Sequence, residues 1–421
     1  MNKFRGVSGL ISMLLAGTAH VTTARAETSL FDSGNYTAWV DLRLSQTDGE
    51  RGWLAGGFGK LRHGDETAVD IGQAAVLWKP QLTDIFSGYL LLQGVSDAKV
   101  PVGVEEAYLQ WRPVPKSGFR YGLRLGQMFP PVSMEHDGTG WTTQRSLTPS
   151  AINSWIGEEV LVRGLEVNAQ QTLAGHMFGF TLGGFTRDDT AGTLLSWRGW
   201  ALHDISSAEN TELKLPDGGN QGWNRIFGDY QAPVSKPMVE LDGRLGYYAR
   251  LDWHPPAPVA VNLEFYDNQG DPMAIRNGQW GWSTRFYNLG VAYRLTAKDE
   301  VLSQYMVGST ATGWPVEQGY RVVDAGFESA YLLLSHRCDD GGRLTGRLDY
   351  FAIKDYSRRT VDDNGETGYS ATLAWMKPVS DHLDLGFEAL HVISDRPARA
   401  TQALSSQQSQ TQLQVALRWR L

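Results

Sequence analysis

The amino-acid sequence predicts an all-β fold: a transmembrane antiparallel β-barrel of sixteen strands, with short periplasmic turns and longer external loops. Three observations predict it. Apolar and polar residues alternate with a period of two in segments spread along the whole chain. The connections between those segments alternate between short and long. Beyond an N-terminal leader no apolar run is long enough for a spanning helix, so the exported chain is either soluble or crosses a membrane as a closed sheet.

The leader comes first. Lys3 and Arg5 make a basic start, Gly9 to Ala19 form a short apolar core, and Ala24-Arg25-Ala26 places small residues at −3 and −1 of a cut before Glu27. That order is a secretory signal peptide over residues 1–26. Its apolar core is too short to cross ~30 Å of hydrocarbon. Residues 27–421 are then a single barrel domain.

Removing the leader takes away Lys3, Arg5 and Arg25 and no acid, leaving 35 basic against 46 acidic side chains, a net −11. An acidic chain argues against a nucleic-acid partner. Glycine (47), Trp (15) and Tyr (16) are abundant, while Lys (10) is scarce beside Arg (28). Such a composition suits a barrel, in which Gly permits close approach and bends and aromatics form interfacial girdles. The single Cys338 cannot make an internal disulfide, so stability comes from the β-ladder. It sits in a turn-like Arg-Cys-Asp-Asp-Gly-Gly cluster next to His336. Neighbouring strand residues point to opposite faces, which speaks against a catalytic Cys–His pair.

Alternation is clearest in three places. Val259, Val261, Leu263 and Phe265 share one face while Asn262 and Glu264 take the other. Leu245, Tyr247, Ala249, Leu251 and Trp253 oppose Arg244, Gly246, Tyr248, Arg250 and Asp252. Leu413, Val415, Leu417, Trp419 and Leu421 oppose Gln412, Gln414, Ala416, Arg418 and Arg420. In a barrel the apolar face meets lipid and the other meets water.

Counting gives strands at 36–45, 69–79, 86–97, 104–112, 119–128, 158–170, 176–187, 244–254, 259–269, 284–296, 300–310, 322–336, 343–354, 367–378, 382–394 and 410–421. Treating Trp53–Leu61 and 192–203 as strands as well would make eighteen. One set of connections is turn-like, such as 171–175, 297–299 and 379–381. The other contains 46–68, 129–157 and 188–243. This asymmetry of short turns and long loops is that of a Gram-negative outer-membrane barrel, and an even strand count leaves both ends in the periplasm.

Parity then assigns the interior. Arg43, Arg112, Arg120, Arg124, Arg244, Arg250, Arg294, Arg343, Arg347, Arg418 and Arg420 point inward, with Asp41, Glu106, Asp252, Glu264, Asp349, Asp384 and Glu388. Arginines slightly outnumber acids, and rings of Arg favour anions. Arg120 and Arg124, flanked by Gly122 and Gly126, are the leading candidates for an anion ladder; the alternative is that they pair with lumen acids.

The C-terminal strand resembles an outer-membrane assembly signal through Gln414, Ala416, Trp419 and Leu421, with Ala416 in place of the usual Gly. A longer resemblance runs from Glu105 to Glu166. It comprises Ala107-Tyr108-Leu109, then Gly126-Gln127-Met128-Phe129-Pro130-Pro131-Val132-Ser133-Met134-Glu135, Pro149-Ser150-Ala151-Ile152, and Gly164-Leu165-Glu166. These segments are similar to the phosphate-selective porin O and P family. The resemblance implies a sixteen-stranded homotrimeric porin for small solutes or inorganic anions, seated among outer-membrane lipid and lipopolysaccharide. It also implies that the third external loop folds into the lumen, and the strand count makes 129–157 the third external loop. The family's Lys-rich constriction is not matched: the charged groups of 129–157 are Glu135, Asp137 and Arg145, with His136 titratable, and none is Lys. A broad pore with a mild anion preference is the expectation.

An enzyme or surface carbohydrate-binding barrel is the competing class. Glu135-His136-Asp137 has the residue types for a metal or a general base, yet three consecutive side chains do not easily converge, and no helical His pair accompanies them. Neither catalytic residues nor a cofactor or metal are therefore expected. The 188–243 loop carries Trp197, Trp200, His203, Trp223 and Tyr230, aromatics able to stack on sugars or to pack the loop.

Overall fold

Alternation places every second side chain on one face of a twisted sheet, and here that sheet closes on itself. The computed structural model describes residues 30–95, 101–216, 230–316, 319–357 and 363–421. The signal segment 1–26 and Trp223 lie outside the described residues.

The barrel has sixteen antiparallel strands, each hydrogen-bonded to its sequence neighbours. They are β1 (Tyr36–Asp48), β2 (Glu66–Trp78), β3 (Phe86–Gly94), β4 (Val102–Trp111), β5 (Phe119–Met128), β6 (Val162–Leu173), β7 (His176–Thr186) and β8 (Gly246–His254). There follow β9 (Val259–Asp267), β10 (Ser283–Arg294), β11 (Asp299–Pro315), β12 (Arg321–Arg337), β13 (Arg343–Asp355), β14 (Glu366–Ser380), β15 (Leu383–Asp395) and β16 (Gln407–Arg420). β1 pairs with β16, with Asp41 opposite Arg418 and Thr47 opposite Gln412, so the sheet has no free edge.

Sixteen is the count, not eighteen. The segment from Trp53 turns at once into a 3-10 turn, Trp53–Ala55, and a coil. A Cβ at Gly57 would lie 2.0 Å from the Arg51 carbonyl oxygen, a coil too tight for any strand. The other extra segment forms helix Thr193–Arg198. A third difference is at 158–161. Ser150 caps helix α1 (Ala151–Glu159) by accepting from the Asn153 amide, and β6 starts only at Val162. β8 likewise starts at Gly246, which leaves Arg244 at the loop rim instead of in the wall.

The outward face is apolar between two aromatic girdles. At the short-turn end Trp78 stacks near Tyr36, Trp111 meets Tyr121 edge-on, and Trp375 lies beside Phe387. At the long-loop end Tyr247, Phe265 and Tyr287 form a row, and Tyr350 adjoins Tyr369. Leu42, Leu125, Leu251, Leu263, Leu289 and Leu348 are exposed on the outward face. Aromatics at both edges of an apolar band mark where the wall meets lipid. Two of the short turns, Ala174-Gly175 with φ of +49° and +81° and Ser117-Gly118 with φ of +51° and +76°, carry the two positive values of a type I′ hairpin. Among the described residues no helix is long and apolar enough to cross a membrane.

Candidate functional site: the lumen and its inward loops

Three long loops turn back into the barrel. Residues 129–161 run along the lumen, and their charged groups meet the wall. Arg347 on β13 bonds Glu135 at 3.1 Å, Asp349 at 2.9 Å, and the carbonyls of Thr148 and Pro149. Glu388 on β15 accepts the Leu147 and Thr148 amides at 2.7 and 3.0 Å, and Asp349 accepts the Ala151 amide at 3.2 Å. Gln304 on β11 accepts from Met134 N and from Asn153, while its own amide donates to the Val132 carbonyl. Apart from the Arg347–Asp349 pair within β13, each of these bonds joins a loop backbone or side chain to an inward strand position. The alternation that builds the barrel thus also supplies the cradle.

The loop reaches the short-turn end and crosses the lumen. Arg145 bonds Asp137 and Glu300, and Arg343 also reaches Glu300, at the start of β11. On the far side, a Cβ at Gly140 would lie 2.9 Å from Leu91 and 3.1 Å from Trp39, so a small residue is needed where the tip meets β1 and β3. Between this tip and the wall lies a cavity of about 340 Å³ lined by Arg337, Arg343, Lys377, Arg418 and Arg420, with Asp384.

The triplet Glu135-His136-Asp137 does not converge. Glu135 turns to Arg347, Ser150 and Asn153, Asp137 to Arg145, and His136 stacks on Trp141 while its Nδ1 lies 2.7 Å from the Ser133 hydroxyl. Desolvation pushes the His136 imidazole down to about 3, which keeps it neutral.

The half toward the long loops is packed. Trp155 of α1 meets Phe286 and Phe327 of the wall edge-on, and Trp200 of the 188–243 loop. Lys60, from the first long loop, donates to the Arg198 and Trp200 carbonyls and pairs with Glu366 on β14. Burial lowers its pKa to about 8, despite Glu366. Glu158 pairs with Arg198 and hydrogen-bonds His203, and the Arg198 guanidinium with that hydrogen bond holds its carboxyl down against the effect of burial. Trp197, Trp200 and His203 are all buried, whereas Tyr230 is half exposed. The Trp197 and Trp200 indoles therefore pack this loop and are not open for stacking.

The remaining inward residues fall into two groups. Arg124 is held by Glu166 at 2.6–2.8 Å, and its guanidinium lies over the Tyr108 ring at 5.3 Å; it does not face open space. Tyr248 donates to the same Glu166. Arg250 pairs with Asp252 and donates to the Pro131 carbonyl. Glu106 is buried and accepts the Phe129 amide. Arg112, Arg120 and Arg294, in contrast, are exposed at the short-turn mouth. Arg244 is exposed at the opposite rim and bonds Asp271. Two wall partners, Glu166 and Glu300, were not assigned to the lumen from sequence, although both sit at inward parity, which was signal enough. Lys60 lies in a loop, which has no period, and Glu158 lies at the end of helix α1 where the sequence predicts the start of a strand, so neither carried such a signal.

Among the described residues, one group of three carboxylates has the spacing to hold a metal: Asp189, Glu240 and Asp242 lie with ligand atoms within 4.8 Å of one another. Their oxygens accept the amides of Leu241, Arg187, Gly243 and Arg244, so they already close the loop end without an ion.

No protein-family model and no curated protein matches the sequence. Solved structures do match in shape. The outer membrane channel DcaP of Acinetobacter baumannii is 10% identical, with a TM-score of 0.53 over 92% of this chain and 96% of its own. The loop L8 deletion mutant of OmpT, an outer membrane protein of Vibrio cholerae, is 8% identical, with a TM-score of 0.52 over 92% of this chain and 98% of its own. At such identity the likeness shows the fold: a sixteen-stranded outer-membrane β-barrel.

Proposed function

We propose that the chain, matured by removal of residues 1–26, is an outer-membrane porin for passive diffusion of small hydrophilic solutes, with a mild preference for anions. The observation that carries this reading is the lumen. Below the inward loop, Gln110, Asn168, Gln170, Thr181, Arg250, Asp252 and Ala260 are half-buried at inward positions, and with exposed Arg112, Arg120 and Arg294 they form a polar vestibule with a basic mouth. A ring of guanidinium groups raises the local anion concentration. Loop 129–161 acts as the constriction. Buried Glu106, Glu166 and Glu264 lie above the vestibule, so the expected conductance is small.

Tight phosphate selection is not part of the reading, since loop 129–157 has no Lys and its Arg145 is spent on Asp137 and Glu300. The homotrimer implied by the family resemblance and a lipopolysaccharide-bearing lipid surround belong to it. Catalysis does not: Glu135, His136 and Asp137 take separate partners. The deciding experiment is single-channel recording of purified protein in a planar bilayer. Small, stable steps with a weakly anion-directed reversal potential are expected; a barrel with no conductance overturns the pore reading.

A further inference from the structure

On β9, Asn262 and Glu264 occupy successive inward positions, opposite Asp252 and Arg250 on β8 and opposite Gly290 and Asn288 on β10. Glu264 is fully buried and Asn262 is 4% exposed. Both carboxylate oxygens of Glu264 and the Oδ1 of Asn262 have no hydrogen-bond partner among the described residues. Their neighbours' donors are aimed elsewhere. Arg250, directly across from Glu264, gives its guanidinium to Asp252 and to the Pro131 carbonyl. Asn288 and Gln304 donate to the Val132 carbonyl, and Tyr248 to Glu166. Glu166, at the same depth, shows the contrast, because Arg124 and Tyr248 satisfy it. Gly290 lets Asn262 and Met134 approach the β10 backbone: a Cβ there would lie 2.7 Å from Asn262 Oδ1 and 2.3 Å from the Met134 sulfur.

Three acceptor atoms, two of them on one buried carboxyl, stand here without a donor, and a carboxylate at such a depth is stabilised only when a cationic donor meets it. We propose that Glu264 and Asn262 form a subsite for a primary ammonium group at the roof of the vestibule. Such a group carries one positive charge and three N–H donors, matching the three free acceptors. A hard divalent ion takes six or more oxygens, of which these two side chains supply at most three. Asp252, 22% exposed and next to Asn262, leads down to the vestibule and leaves a way for the rest of an amine. The subsite is independent of conduction and would hold in a closed barrel.

The test is calorimetric titration of purified, folded protein with n-butylammonium chloride, with barrel closure checked by heat-modifiable gel mobility. Saturable one-to-one binding is expected for the native chain. Glu264→Gln should weaken it by about tenfold or more, the loss expected for a charged hydrogen-bonding partner. Asn262→Leu, which leaves the charge intact, should weaken it less. Tetramethylammonium, which has no N–H, should not compete. Absence of saturable binding, equal binding by Glu264→Gln, or equal competition by tetramethylammonium overturns the proposal. If Glu264→Gln does not close, Asn262→Leu and the competition decide it. A pore without this binding refutes the subsite alone, and binding without conductance refutes the porin reading alone.

Discussion

Arg347 of β13 and Glu135 of the inward loop are 3.1 Å apart, and both side chains are shut off from solvent. The loop is thereby fastened to the wall by a buried ion pair, with Asp349 and two loop carbonyls completing the guanidinium's partners. Removing one member of a buried pair costs about 3–5 kcal/mol, because a charge is left behind. Glu135→Gln should sit near the lower bound, since Arg347 keeps Asp349. Hydrogen exchange at the Leu147, Thr148 and Ala151 amides, all held by wall carboxylates, should speed up while the strand amides stay protected. Unchanged exchange at those three amides would show that the pair does not hold the loop.

Ion selectivity should reside in the exposed mouth, not in the paired wall. Replacing Arg112, Arg120 and Arg294 together with Gln should move the reversal potential toward cations. The shift should be larger at low salt, because the Debye length falls from ~30 Å at 0.01 M to ~10 Å at 0.1 M. Arg124→Gln instead strands Glu166, so its main effect should be on assembly yield. A triple variant with native selectivity would remove the mouth from the mechanism.

Acid should loosen the loop through His136. Its folded pKa is pushed down to about 3 by desolvation, against 6.5 for a free imidazole. Above pH 6.5 both docked and undocked forms are neutral and the group contributes nothing. As pH falls from 6.5 toward 3, only the undocked form gains the proton, so docking weakens, by at most about tenfold per pH unit. His136→Asn should flatten this part of the pH profile, measured by protease nicking of the loop. An identical profile in both proteins would assign the pH response to other groups.

The outward face is tested by charge insertion. Leu263→Arg puts a guanidinium on the exposed face of β9, at a cost of about 2–4 kcal/mol near the bilayer midplane. Ala260→Arg, on the same strand but facing the vestibule, should assemble normally. Equal folding yields in lipid vesicles would invert or void the face assignment.

Orientation is tested by thiol labelling in a Cys338→Ser background. A Cys at Met273, half exposed in the 268–282 loop, should react with an impermeant maleimide on intact cells. A Cys at Val114, exposed at the short-turn end, should react only after lysis. The reverse pattern would turn the barrel over.

Sequence alone determined the wall of this protein. A strand's side chains alternate strictly, so apolar parity marked one face for lipid, and turn-rich segments marked the strand ends to within a few residues. All sixteen strands, and the lumen side of Arg347, Arg250 and Glu166, follow from that period. Only tertiary structure decided what fills the barrel. Loops 49–65, 129–161 and 187–245 have no repeating geometry, and their Gly-, Trp- and Ser-rich composition suits an exposed loop and a packed plug equally. Whether Arg124 faces water or Glu166, and whether Lys60 finds Glu366 more than 300 residues away, depends on which inward positions the closed sheet brings together. Pairings across a lumen are set by strand register and barrel closure, long-range quantities that no local pattern encodes.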